Sequence, residues 1–199
     1  MAAPTTRTGG RAFGRGLVDA ALIALCALGI VLTARGAIIP IKAAVAQVLL
    51  ERAFDRSVAA REPQKPWPWA DMAPVARLAI PRLGVDRVVL DTGSGQAMAF
   101  GPTLLPGGAR LGAPGTTVIA AHRDTHFHFL QRLRLGDRIM AEGLDGRTHR
   151  YRVVSTAIVR WDRFAIPEGG EMLALATCYP FDAVRHGPLR YVVFAATDR

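Results

Sequence analysis

Residues 172–195 read MLALATCYPFDAVRHGPLRYVVFA. Two β-rich runs, Met172–Cys178 and Leu189–Ala195, flank a loop that opens on YPFD and passes through Gly187 and Pro188, punctuation that ends one strand and lets the chain reverse. If the runs pair antiparallel, the end of the first faces the start of the second. The thiol of Cys178 and the guanidinium of Arg190 are then neighbours without any long-range assumption. Alternation puts Ala174, Ala176 and Cys178 on one face, so two alanines leading to a thiol form an open floor for an extended peptide. Small residues are also what ordinary barrel packing uses.

The same rhythm continues upstream. Val75–Ile80, Asp86–Leu90, Thr116–Ala121, Asp137–Ala141 and His149–Val159 are β-rich or alternating and are separated by Gly, Pro or Asp. Asp145 followed by Gly146, between two such runs, is a strong hairpin signal. Gln96–Phe100 reads as a helical turn and 101–115 as a long Pro/Gly loop. Many short strands with few helices predict a mainly β fold, a closed or nearly closed β-barrel.

The N-terminal part has a different composition. Leu17–Thr33 (LVDAALIALCALGIVLT) is apolar apart from Asp19 and follows Arg7, Arg11 and Arg15. A single membrane pass with the arginines on the cytoplasmic side fits this layout. A cleaved signal peptide shares it, with Ala34 and Gly36 as a small-residue site. Ile38–Phe54 reads as an amphipathic helix, and Arg61–Pro74, rich in Pro and charge with Trp67 and Trp69, as an extended linker. The expected organisation is residues 1–36 as cytoplasmic N-terminus and transmembrane anchor, 37–71 as amphipathic helix and linker, and 72–199 as the barrel.

The formal charge of +9 on 199 residues is carried by scattered arginines with no basic run or aromatic-interleaved strip, so no nucleic-acid partner is expected. Cys26 lies in the apolar stretch and Cys178 in the exported part, so the two cannot pair. A lone thiol outside the cytoplasm is a candidate for chemistry; a buried, inert cysteine is the plainer alternative.

His122 ends the apolar run TTVIAAH and opens HRDTHFHF. With Cys178 and Arg190 it completes three chemistry-bearing residues at strand ends: a nucleophile, an acid/base and an anion stabiliser. Alone, His122 could equally be a satisfied histidine. Asp124 is placed either to orient the imidazole or simply in an exposed turn, and Arg185 is a rival arginine inside the loop. His122, His126 and His128 with Cys178 also admit a metal-binding reading, but the segment lacks a typical zinc spacing partner. No cofactor or metal is expected.

An apolar strand ending in AHRDTHF, a second ending in LALATCYPF and a third beginning PLRYVV together resemble the sortases, whose strands end in a His, in a TLxTC motif and in an Arg. Upstream, WPWADMAPVARLAIP and AFGPTLLPGG resemble the exported Gram-negative (class GN) sortases. The resemblance implies an eight-stranded sortase β-barrel preceded by a transmembrane and an amphipathic helix. It implies a cysteine transpeptidase on the periplasmic side of the inner membrane, acting on a protein with a C-terminal LPxTG-like sorting signal and passing the acyl group to an amine. In that scheme Cys178 is the nucleophile, Arg190 holds substrate and oxyanion, and His122 protonates the leaving amine. Leu175, Thr177 and Cys178 match TLxTC, whereas Ala174 replaces its first Thr and Ala121 the usual Gly before His. Ala174, Ala176 and Thr177 would line the substrate groove, with Trp161 and Phe164, and Ile166 beside them, from the segment that contacts the signal in sortases. A hydrolase using the same thioester, with water as acceptor, has the same residues.

Overall fold

The computed structural model describes residues 10–92, 94–163, 166, 170–185 and 187–198; Phe164, one of the expected groove residues, lies outside them. The chain forms two compact units, Met1–Val45 and Ala46–Arg199. Helix α1, Gly10–Ala60, runs from one to the other. The two helical stretches expected from sequence are therefore one element. The ARGAI segment between them lacks a strong breaker, since a lone Gly costs only ~1 kcal/mol against Ala, and Pro40 sits inside the helix.

In the first unit Leu22, Ile23, Leu25, Leu28 and Ile30 are all exposed. An 18-residue window with mean hydropathy 2.3 makes this helix long and apolar enough to cross a membrane. Such a helix, apolar on every side, needs a lipid or protein environment.

In the second unit the end of α1 becomes amphipathic. Ala46, Leu50, Ala53, Phe54 and Ser57 are buried at the three-and-four spacing of one helical face. Leu50 and Phe54 pack with Met72, Val88, Leu90 and Ala97. Trp67 joins them, its ring 5.4 Å from that of Phe100, while Trp69 is 83% exposed. Only one of the two linker indoles is used as a clip, and the compact unit reaches back beyond Met72 because this helical face has a partner.

Eight strands close into a barrel: β1 (Pro74–Ile80), β2 (Val85–Leu90), β3 (Thr103–Leu104), β4 (Gly115–Ala120), β5 (Arg138–Gly143), β6 (Thr148–Arg160), β7 (Glu171–Cys178) and β8 (Leu189–Thr197). Around the barrel the order is β1-β2-β3-β4-β7-β8-β6-β5. Closure follows from β1 pairing with both β2 and β5, and it leaves no free edge. The strand that the alternation did not show is β3, two residues inside the Pro/Gly loop and too short to display a period. The short helix α2, Gly95–Phe100, is capped by the Ser94 side chain, which accepts from the Ala97 amide. Asp145 and Gly146 do turn the β5–β6 hairpin, with Gly146 at φ +75°. Inward residues of alternating strands, among them Leu78, Ile119, Ile139, Tyr151, Leu173, Leu175 and Val193, fill the core.

Candidate active site

Three adjacent strands build the site. β4 and β7 run parallel, with Ala120 opposite Ala176, and the Ala121 amide donates to the Ala176 carbonyl. Two residues further along both strands, the same register brings His122 beside Cys178. β7 and β8 run antiparallel, and Cys178 is paired directly with Arg190. Cys178 and Arg190 thus lie on β7 and β8, and His122 just past the end of neighbouring β4, at one rim of the barrel, where neighbouring strands are ~4.8 Å apart.

The rim is braced from beneath. Thr177 is buried, and its hydroxyl donates to the Ala121 carbonyl at 2.7 Å, which ties the residue before the thiol to the residue before the imidazole. Arg190 donates from Nη1 to the carbonyls of Gly187 and Leu189 at 2.9 and 2.8 Å, holding one edge of the guanidinium. On the loop after Cys178, Tyr179 stacks on Tyr191 with centroids 6.3 Å apart, and Phe181 meets Tyr191 edge-on at 5.3 Å. Arg123, next to His122, clamps the same loop from Nη2 through the carbonyls of Ala183 and Arg185.

A cleft of about 360 Å³ opens over this rim. His122, Cys178 and Arg190 all line it, with Ala120, Ala121, Ala176, Thr177 and Trp161. Ala174 shares the face of Ala176 but does not reach the cleft. It is fully buried, in a small cluster with Val118, Ala176 and Val192, and Ile166 packs against that cluster. Met98, Leu105 and Val192 also line the cleft, and no local pattern marks them: Met98 comes from α2 and Leu105 from the loop after β3, and only the topology brings them here. The lining is mainly apolar with one cation, a setting in which an extended chain can bury aliphatic side chains while its carbonyls meet N–H donors.

The other histidines of HRDTHFHF are engaged elsewhere. His126 Nε2 lies 3.3 Å from the Ala99 carbonyl, and burial, with smaller contributions from the charges of Arg87 and His122, lowers its pKa despite that hydrogen bond. His128 Nε2 is 2.8 Å from the Gln131 amide. Among the described residues no three His, Cys, Asp or Glu side chains come together as a metal-binding group. Asp124 is exposed, and Arg185 contributes only its carbonyl to the clamp.

A family model described as the sortase domain matches residues 78–198. Sortase D of Bacillus subtilis (strain 168) is 36% identical over 83 residues, which is 40% of this chain and 41% of that relative, so the match spans less than half of the relative's length. Among solved structures, sortase A from Corynebacterium diphtheriae aligns with a TM-score of 0.59 and 24% identity, over 66% of this chain and 63% of that one. A Clostridium perfringens sortase D5 transpeptidase aligns with a TM-score of 0.62 and 18% identity, over 78% of this chain and 99% of that one. At these identities the structural likeness speaks for the fold.

Proposed function

The chain belongs to the sortase family, and on that premise we propose that it is a cysteine transpeptidase that cleaves an LPxTG-like sorting signal through a thioester on Cys178. The observation that carries the reading is the convergence of His122, Cys178 and Arg190 on one cleft, with Cys178 and Arg190 in direct register. Cys178 attacks the carbonyl of the scissile bond. The tetrahedral oxyanion that forms is met by Arg190, whose orientation the carbonyls of Gly187 and Leu189 restrain. His122, as imidazolium, protonates the departing amine, the C–N bond breaks and the thioester remains. An incoming amine then attacks, His122 takes a proton from it, and Cys178 leaves as thiolate. No step calls for a cofactor.

Ala176, Thr177, Trp161 and Phe164 are proposed as groove residues; Ala176, Thr177 and Trp161 are supported by their place in the cleft lining. Ala174 is proposed to support the groove floor from beneath. The apolar N-terminal helix supports a single-pass anchor with the N-terminus inside and the barrel on the periplasmic side of an inner membrane. Placement among the Gram-negative class rests on the segments WPWADMAPVARLAIP and AFGPTLLPGG.

The test is product analysis of a sorting-signal peptide incubated with full-length protein in detergent, with and without an added amine. Amine-dependent formation of a new amide at the cleaved carbonyl is expected. Cleavage that yields only the free acid, whatever amine is supplied, would make the protein a thiol hydrolase instead.

A further inference from the structure

We propose that the second half of β6 is a docking edge for the substrate polypeptide just upstream of the cleaved signal, which adds there as an extra β-strand. The proposal rests on the reading of Cys178 as an acyl carrier, because that reading sets where the upstream chain leaves the cleft. Each strand of the barrel has a neighbour on both sides, but β6 is longer than the ladder it shares with β5. That ladder ends with Arg138 opposite Arg152, and the turn before β5 extends it only through the bonds of Val153 with Gly136 and Asp137. On its other side β6 stays paired with β8 as far as Arg160 opposite Leu189. A bulge between Val153 and Ser155 bends the strand just where β5 is lost.

Beyond the bulge, residues 154–160 have no strand neighbour on the β5 side among the described residues. The Trp161 amide donates to the Pro188 carbonyl. By the two-residue alternation of an antiparallel pair, the amides of Val159 and Ala157 also turn to β8, and those of Thr156, Ile158 and Arg160 turn outward. Proteins usually blunt such an edge with charge, proline or a covering loop. This one presents Val154 and Ile158, 48% and 51% exposed, with Ser155 and Thr156 exposed beside them. It is uncharged until Arg160, whose guanidinium is held by Asp162 at 3.1 Å. An exposed, uncharged edge of β-branched residues is a template for an extended peptide, whose main chain supplies the missing partners.

The order of side chains across the rim says which peptide reaches it. His122, Cys178, Arg190 and Trp161 follow one another on or just past β4, β7, β8 and β6, and all four line the cleft. The leaving amine lies toward His122, which protonates it, so the acyl half runs the other way, past Arg190 and Trp161. From β7 to a strand added outside β6 is three steps of ~4.8 Å, about 14 Å, and four extended residues at ~3.3 Å each cover nearly that distance. Four residues are the acyl side of an LPxTG-like signal cut before its Gly. Such a signal delivers the chain that precedes it to the head of the edge at Arg160. Pairing there goes through the main chain, so the edge accepts upstream segments of differing sequence provided they are extended.

The edge can be read apart from the chemistry, by amide hydrogen exchange of residues 154–160 in full-length protein in detergent, followed by mass spectrometry. The probes are an arm of about eight Thr, Val and Lys residues, the same arm joined to the N-terminal side of LPxTG, bare LPxTG, and the joined peptide with its arm amides N-methylated. The arm alone at ~5 mM should slow exchange of this segment about threefold or more, and the joined peptide should do so at a concentration at least ~10-fold lower. Thioester formation on Cys178 should half-saturate at a concentration ~10-fold lower for the joined peptide than for bare LPxTG, and N-methylation of the arm should erase that gain. Ile158→Pro removes an outward amide and spares the ladder with β8, and it should bring the joined and bare peptides to the same half-saturating concentration. Unchanged exchange with the arm, equal half-saturation of joined and bare peptides, or an N-methylated arm as effective as the plain one would overturn the docking edge. Slowed exchange without a thioester from any peptide would remove the transpeptidase reading and leave the edge standing. A thioester formed equally well from both peptides would do the reverse.

Discussion

At its first residue, β7 carries Glu171, whose carboxylate accepts the Tyr151 hydroxyl at 2.8 Å and lies 3.4 Å from His149 Nδ1. At its last residue, roughly 23 Å away at ~3.3 Å per residue, it carries Cys178 beside His122 and Arg190. Both ends bring a histidine close to other polar side chains, yet they treat polar groups in opposite ways. Around Glu171 the groups are closed on one another. Tyr151 is fully buried, and burial, then the Glu171 carboxylate, push its hydroxyl well above the ordinary phenol range. Thr197 donates to the Glu171 carbonyl at 2.8 Å, and a Cβ on Gly112 would meet the His149 ring at 2.1 Å. Around Cys178, neither the thiol nor the imidazole has a hydrogen-bond partner among the described residues, and both face a cleft. A histidine near an acid is thus no mark of function in itself. What separates the ends is whether the polar groups have already satisfied one another.

Substitutions at the two ends should therefore fail differently. Cys178→Ala removes the nucleophile, so acyl transfer should fall to the uncatalysed background while urea unfolding shifts by less than ~1 kcal/mol. Arg190→Ala and His122→Ala should each lower the turnover rate by ~10²- to 10³-fold, again with little effect on unfolding. At the closed end Glu171→Ala strands the buried Tyr151 hydroxyl and should cost ~1–3 kcal/mol in urea unfolding, while turnover per folded molecule stays within about twofold. A large loss of turnover from Glu171→Ala, or a large loss of stability from Cys178→Ala, would break the contrast.

The smallest effect concerns a third acid that has found its partners. Asp137 binds the Arg82 side chain through both carboxylate oxygens at 2.6 Å and accepts the Arg134 amide at 2.8 Å. The Arg82 hydrogen bond, above all, holds its pKa below the ordinary 3.8. With the folded value below the unfolded one, the contribution to stability is present above pH ~3.8 and disappears as pH falls through the folded value. The stability gap between wild type and Asp137→Asn, measured against pH, should close in that acid window and stay constant above pH 6. A gap that widened on acidification would contradict the assignment.

Much of the site could be read before the fold was known because its parts are local. Cys178 and Arg190 are joined by one loop, and the antiparallel pairing of two neighbouring runs is enough to bring them together. His122 is different. It meets Cys178 through a parallel pairing of β4 with β7 across 56 positions of chain, as the register of Ala120 with Ala176 requires. Alternation within a strand carries no information about such pairing; it was reachable only through likeness to a family. Met98, Leu105 and the loop clamp of Arg123 were hidden for the same reason. The amphipathic face of the helix ending at Ala60 was legible as needing a partner, but that Leu50 and Phe54 would cover Val88 and Leu90 was not, since nothing in the helix specifies which apolar surface it will meet.

The central claim is that Cys178 carries an acyl group while His122 and Arg190 serve it, and the intact mass of the full-length protein mixed with an LPxTG-like peptide tests this most directly. The account predicts an adduct equal to the acyl fragment, mapped to Cys178, discharged by an added amine and absent from Cys178→Ala. No adduct with any sorting peptide, together with a Cys178 thiol that also resists alkylation, would contradict it.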